Sequence, residues 1–225
     1  MDAQKEITIY SCITNNRDTI KPVFKKENYS YVMFTDLVSD HPDWEIRPLQ
    51  FKEKCPILTA RLHKHLPHIL FPNKEITLWI DGTHWIYNPI DSLLDLVKTS
   101  SIAASNHFLR KTIKEEIEVC ILDKMDDLNS LQNQKQFYQK ELFPDNLGLI
   151  ETCYLLRANN QNTKELQELW VEQILKFSKR DQISLPYCLW KLNMNISIIP
   201  GQCRFGKNDF FKMRPHRNRG NITLI

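Results

Sequence analysis

Three groups of side chains in this 225-residue chain have the types and spacing to do chemistry. The first is Asp81-Gly82-Thr83, which follows the apolar run LWI and precedes HWIY. A carboxylate at the end of a buried strand can hold a hard cation together with phosphate oxygens. Asp-Gly is also a common turn pair, and would join LWI and HWIY as a hairpin. The second is Arg180-Asp181-Gln182, with Ser178 before it and Ser184 after it. It reads as a helix start, with Ser178 as N-cap and Asp181 near the positive end of the dipole. It reads equally as a carboxylate and an amide offered to a polar ligand, with Asp181 as base or electrostatic stabiliser. The third is the basic stretch FKMRPHRNRGN, where His216 stands between Arg214 and Arg217. That stretch is either a solvated tail or a lid over a phosphate-bearing ligand, since Lys and Arg pair naturally with phosphate.

Strands and helices must hold these groups in place. EITIYSCI (Glu6 to Ile13) and YSYVMFT (Tyr29 to Thr35) are β-branched apolar runs that end in polar loops, and WEIRPL is a third strand. CPILTARLHKHLPHILF has Ile57, Leu58, Leu62, Leu66, Ile69 and Leu70 at roughly helical spacing, interrupted by Pro67. Arg61 and Lys64 share one face of that helix. His63, His65 and His68 crowd the same helix with no carboxylate at ligand spacing, and are expected at the surface or an edge. EITLWI reads as a strand buried on both faces. NPIDSLLDLVKT is expected as a helix with Asn88 as N-cap and Pro89 at its first position. After the small strand IAAS, His107 and Arg110 are expected to open a helix whose N-terminal amides favour anions, with one or two helices running to about Leu142. ETCYLLRA alternates as a strand, NTKELQELWVEQILKFS is the clearest amphipathic helix, RDQISLPYCLWKL is a second apolar segment and MNISIIP a last short strand. Strands mixed with helices throughout imply an α/β domain with a mostly parallel sheet. In such sheets ligands gather at the carboxyl ends of the strands. That rule selects the loops Thr14 to Asp18, Thr35 to Asp36, Asp81 to Thr83 and His107 to Arg110.

Composition narrows the function class. A net charge of +3 does not mark the chain as a nucleic-acid or membrane binder. Five glycines, with no GxGxxG, Walker, GxSxG or HExxH motif, set aside dinucleotide dehydrogenases and P-loop enzymes. Six dispersed cysteines without a CxxC pair are expected as reduced core thiols, and the lack of finger-type spacing disfavours zinc. No leader and no membrane-length apolar run are visible, so a cytoplasmic protein, free or peripheral to a membrane, is expected. Nothing in the sequence marks an internal boundary. The expectation is a single domain over 1–225, with 205–225 as a basic and least regular tail.

The order of these pieces resembles the glycosyltransferase-like domain family of plant mucilage and turgor-related proteins and bacterial polysaccharide clusters. The blocks that carry the resemblance begin with Thr14 and Asp18, FTD (Phe34 to Asp36), Trp44, ARLHKHLPH and LWIDG. They continue with His107-x-x-Arg110 and the acids Glu115 and Glu116, Gln134 and Tyr138, GLIET, LLR, Trp170 and FSKRDQISL. The resemblance implies a GT-A-type (Rossmann-like) transferase: a mixed, mostly parallel sheet flanked by helices, with a nucleotide over the ends of the first strands. It further implies a UDP- or GDP-linked sugar as donor, a glycan or lipid-linked acceptor, a place in polysaccharide biosynthesis, and no nucleic-acid partner. Thr14, Asn16, Asp18, Thr35, Asp36, Arg61, Lys64, Asp81, Gly82, Thr83, His107 and Arg110 would bind the donor. Arg180, Asp181 and Gln182 would serve catalysis. A divalent metal, manganese or magnesium, would sit on Asp81, completed by His216. The sequence departs from the usual DxD pattern at Thr83, where a hydroxyl replaces the second acid. A non-catalytic carbohydrate- or partner-binding module that keeps the fold is the alternative.

Overall fold

The protein is described from a computed structural model covering residues 7–37, 39–204 and 208–214. β1 (Ile7–Ile13), ITIYSCI, is buried at every position, as a strand covered on both faces must be. It pairs in parallel with β2 (Tyr29–Thr35) on one side and β4 (Ile76–Ile80) on the other. β3 (Glu45–Pro48), whose residues are half-buried or exposed, closes that edge beside β2. On the other side β7 (Ile150–Ala158) runs antiparallel to both β4 and β6 (Ile102–Asn106), and the two-residue β8 (Ser197–Ile198) adds to β6 in parallel. The seven-stranded order is β3-β2-β1-β4-β7-β6-β8. The sheet is therefore mixed and mostly parallel, as expected. One consequence sets the site: the carboxyl ends of β1, β2, β4, β6 and β8 share an edge with the amino end of β7.

Helices cover both faces. On one, α1 (Pro56–His65), α4 (Ile113–Leu122), α5 (Leu128–Lys140), α6 (Gln161–Lys176) and α7 (Asp181–Lys191) enclose a core containing Trp79, Leu155, Leu166 and Trp170. α2 (Pro67–Leu70) extends α1 beyond Leu66. On the other face, α3 (Leu96–Ser100) and a small sheet of β5 (His84–Ile86) with β9 (Phe211–Met213) cover Ile9, Leu78, Ile80 and Tyr154. α6 starts where Asn160 accepts the amide of Thr163 at 3.0 Å, and α4 where Thr112 and Glu115 form a capping box. α7 is buried from Asp181 to Leu189, which fits a helix apolar on all sides.

Several expectations are corrected. The segment from Asn88 forms a 3₁₀ turn (Asp91–Leu93) and the short α3 in place of one helix; the Asn88 side chain instead ties this segment to the C-terminal stretch, its amide donating to the Asp209 carbonyl at 2.7 Å. α4 starts at Ile113, so His107 and Arg110 lie in the loop before it; the His107 amide is still bonded to the Leu149 carbonyl. Ser178 is not the cap of α7: the position before the helix is Arg180, and the Ser178 hydroxyl is engaged with Asp126. Asp81 and Gly82 do turn the chain, with the His84 amide donating to the Asp81 carbonyl at 2.8 Å. β4 and β5 are not a hairpin, however, because β5 pairs with β9. Part of the expected irregular tail is thus a strand. α1 reverses its expected faces: Thr59, His63, Lys64 and His65 are buried, whereas Ile57 and Ile69 are 42% and 56% exposed. Among the described residues no helix is long and apolar enough to cross a membrane.

Candidate functional site

At the shared edge, Asp81 follows β4 and its carboxylate remains 32% exposed. Its Oδ1 accepts from the Trp79 indole at 2.6 Å and from Lys64 Nζ at 3.2 Å. Gly82 has a packing reason: a Cβ there would stand 3.0 Å from Ile13 Cγ1, so the turn lies close on the end of β1. Asp18 Oδ2 would be 3.6 Å from the same point. Thr83 is turned inward, its hydroxyl 3.0 Å from His84 Nδ1. It does not take the place of a second ligand-facing acid. The Arg214 amide donates to the Thr83 carbonyl at 2.9 Å, so the C-terminal stretch crosses this turn.

Asp181, at the first position of α7, lies beneath Asp81 with 1% exposure. Its Oδ2 receives Lys64 Nζ at 2.7 Å, Arg61 Nη1 at 3.0 Å, the Thr152 hydroxyl at 3.0 Å and His65 Nε2 at 3.3 Å. Lys64 also reaches Thr152, and so divides its three protons among Asp81, Thr152 and Asp181. Burial pushes the Asp181 carboxyl up, but Arg61, Lys64 and His65 outweigh it and hold it well below the usual carboxylate range. Burial pushes His65 down to about 3, so it is neutral at pH 7. Two cations and two carboxylates balance, which is the condition for keeping such charges out of water. A carboxylate stabilised in its charged form suits an electrostatic role better than that of a proton acceptor. Lys64 is fixed from behind by Arg157, which is fully buried and donates to the Lys64 carbonyl at 2.8 Å and to Tyr10.

The Arg180-Asp181-Gln182 triplet divides between two clusters. Arg180 and Gln182 face away from Lys64: Arg180 Nη2 lies 3.1 Å from Gln182 Oε1 and 3.3 Å from Glu116 Oε1. Glu116 is fully buried and also pairs with Arg110. Burial raises its carboxyl, but Arg180 and Arg110 outweigh it and hold it low. His107, lowered to about 4 by burial and by Arg110, stands 3.6 Å from Glu151 Oε1, which Arg204 approaches to 3.5 Å. A third cluster sits at the ends of β1 and β2. The Asn15 amide donates to Asp36 at 2.8 Å, the Thr14 hydroxyl donates to the Pro56 carbonyl and Thr35 accepts the Leu37 amide. Asn15 and Asn16 take left-handed backbone with φ of 55° and 49°, conformations that Asn tolerates. Asp18 is buried in the same loop.

The edge therefore gathers Thr14, Asn16, Asp18, Thr35, Asp36, Arg61, Lys64, Asp81, Gly82, Thr83, His107, Arg110 and the Arg180–Gln182 triplet. His216 lies outside the described residues. Sequence reasoning missed His65, Thr152, Trp79, Glu116 in its ion-pairing role and Glu151. His63 and His65 are core residues, not surface ones: His63 is bonded to the Thr59 carbonyl and the Gln50 amide, and His68 is half-buried against Gln167. A readable signal existed, because Arg61, Lys64, His65 and His68 recur at i, i+3, i+4 and i+7, a polar stripe along one helix face. Asp81 is the exposed carboxylate of this turn, with the Asp18 carboxylate buried close by, and one Asp81 oxygen is already shared by an ammonium and an indole; a manganese or magnesium ion here would take most of its oxygen ligands from phosphate and water.

The TOD1/MUCI70, glycosyltransferase-like domain family matches residues 45–213. The chain is similar to a probable hexosyltransferase of Arabidopsis thaliana, MUCI70, at 30% identity over 136 residues, covering 56% of this chain and 23% of that protein. It is also similar to an alkaline ceramidase of the same plant, TOD1, at 22% identity over 232 residues, covering 85% of this chain and 50% of that protein. The chain thus spans half or less of these relatives. Two solved structures also match. The WbbM bifunctional glycosyltransferase in its apo form has 13% identity and a TM-score of 0.48, over 89% of this chain and 39% of that one. A glycosyltransferase involved in glycosylating the major capsid of PBCV-1 has 13% identity and a TM-score of 0.44, over 85% and 80%.

Proposed function

The chain belongs to the TOD1/MUCI70 glycosyltransferase-like domain family, and from that premise we propose that it is a GT-A-type transferase moving a hexose from a nucleoside diphosphate to an acceptor hydroxyl. The observation that carries the reading is the pair Asp81 and Asp181 at the carboxyl edge of the sheet, joined through Lys64. In the reaction the acceptor oxygen bonds to the anomeric carbon, the bond from that carbon to the diphosphate oxygen breaks, the nucleotide leaves with the electron pair, and the acceptor's hydroxyl proton passes to the departing diphosphate. The leaving group gains negative charge, so donors fixed at that place beforehand lower the barrier. Arg110, Arg180 and Arg204 are partly exposed along the edge and suit that task.

Asp81 is the carboxylate a ligand can reach, and would orient the sugar or its phosphates. Asp181 acts from beneath, ionised at neutral pH, by holding Lys64 and Arg61 in place. Arg180 and Gln182, on either side of it in the chain, face Glu116 and would be the polar groups offered to the sugar. Thr14, Asn16 and Asp36 would hold the nucleoside. The donor is a UDP- or GDP-sugar and the acceptor a glycan or lipid-linked sugar in polysaccharide biosynthesis. Six free thiols fit a reducing compartment such as the cytoplasm. No step is assigned to a metal.

Isothermal titration with UDP- and GDP-sugars, with and without manganese, tests the reading. Binding of at least one, weakened in Asp81→Asn, is expected. Absence of binding for every nucleotide under both conditions overturns it. Release of fatty acid from ceramide, with no transfer, would move the chain to the chemistry for which the TOD1 relative is named.

A further inference from the structure

We propose that Glu151, Cys153 and Cys203 form a zinc site behind the Asp81 turn. One ligand atom from each residue comes within 4.8 Å of the other two. Glu151 and Cys153 lie at the amino end of β7, and Cys203 in the loop after β8, fifty residues on, so no local spacing announces the group. A second observation points to a ligand: Glu151 is fully buried, and neither carboxylate oxygen has a hydrogen-bond partner among the described residues. A buried carboxylate left in that state is costly, and a bound cation is one way to satisfy it.

The chemistry selects the cation. Two thiols and a carboxylate suit zinc, whereas magnesium and calcium take oxygen ligands. Binding releases the two thiol protons, and the sulfurs bond as thiolates. Two thiolates and Glu151 carry three negative charges; a divalent ion and the guanidinium of Arg204, 3.5 Å from Glu151, cancel them. A tetrahedral ion with bonds of about 2.0–2.3 Å sets its ligand atoms roughly 3.3–3.8 Å apart. Closing the group from 4.8 Å therefore takes side-chain rotation of order 1 Å. His107 faces Glu151, but its Nδ1 accepts the amides of Leu109 and Arg110. Its Nε2 is engaged by Arg110 Nη2 at 2.9 Å, so neither ring nitrogen is offered to the metal and the fourth position falls to water.

The site would fasten the Asp81 turn from two directions. The Asp81 amide donates to the Cys153 carbonyl at 2.8 Å, and His84 Nε2 donates to the Cys203 carbonyl at 3.0 Å. Zinc here would tie the loop carrying Cys203 to the sheet and so hold the turn that the donor meets. The proposal does not depend on the transferase reading, because its readout is the metal itself.

The test uses the full chain, isolated anaerobically, stripped by chelation and titrated with cobalt and then zinc. Stoichiometric cobalt with thiolate-to-metal charge-transfer absorption is expected, displaced by zinc. Cys153→Ser and Cys203→Ser should lose that absorption, and Cys55→Ser should keep it. Absence of a thiolate band in the unaltered chain overturns the proposal whether or not the variants fold. So does a Cys153–Cys203 disulfide trapped by alkylation directly from cells.

Discussion

α1 and α6 pack against each other and meet where His65 lies on Trp170, with ring centroids 4.1 Å apart, yet they are built on opposite rules. α6 buries Leu166, Trp170 and Ile174 and turns its charges to water, as its apolar period says. α1 buries Lys64, His63 and His65 and leaves Ile57 42% exposed. Apolar period predicts burial when the neighbouring surface is apolar. It fails where the neighbour is a carboxylate, because Asp181 makes the interior favourable for Lys64 and Arg61. The reversal of α1 is therefore itself a sign that one of its faces meets a polar centre.

The sharpest way to break this contrast is to remove the acid. Asp181→Ala leaves Lys64 and Arg61 without their shared partner in a dry site, and should cost about 3–5 kcal/mol in urea unfolding. Adding Lys64→Met should recover a large part of that loss. A cost near zero for the single change would mean that α1 is not held by charge. The matching change on α6, Leu166→Ala, should cost about 3 kcal/mol through its cavity, with no recovery from Lys64→Met.

Acid titration separates the helices next. The His65 pKa is lowered in the fold, so its contribution is complete above the ordinary histidine value of 6.5 and is lost as pH falls toward about 3. The Asp181 pKa is also lowered, so its contribution is present above 3.8 and is lost below that. Thermal midpoints should fall from pH 6.5 downward and more steeply below 3.8. His65→Gln should flatten the upper part of the slope and Asp181→Asn the lower part, whereas Leu166→Ala should lower the curve without changing its shape. The smallest effect is expected at the surface: Ile57→Lys should stay within about 0.5 kcal/mol. A loss of several kcal/mol there would show that the apolar stripe of α1 is covered after all.

Much of the fold was legible. ITIYSCI, YSYVMFT and ITLWI form the parallel centre because unbroken β-branched runs bury both faces, and the strand-end rule located the edge that holds the polar groups. Asp81, Asp181 and the Arg61–Lys64 pair lie far apart in the sequence, and they converge. What the sequence concealed arises from partners distant in the chain. His65 looked like a surface residue because Asp181 is 116 positions away. Cys153 gathers with Cys203 across fifty residues, and β5 finds β9 in place of the neighbouring β4. The Asn88 side chain likewise finds its partner far along the chain, at the Asp209 carbonyl.

The direction of β7 has an evolutionary consequence. Thr14, Asp36, Asp81 and His107 stand just after their strands, in loops that can lengthen without disturbing the sheet. Glu151 and Thr152 stand inside a paired strand, with Glu151 opposite Ser105. The β6–β7 ladder shifts register between Glu151 and Leu156, whereas Tyr154 to Ala158 pair without a break with β4, and one added residue in that regular stretch would turn the following side chains to the wrong face. The site thus has walls of unequal freedom: relatives can vary in length around the first strands, while the β7 wall is tied to the register of the central sheet.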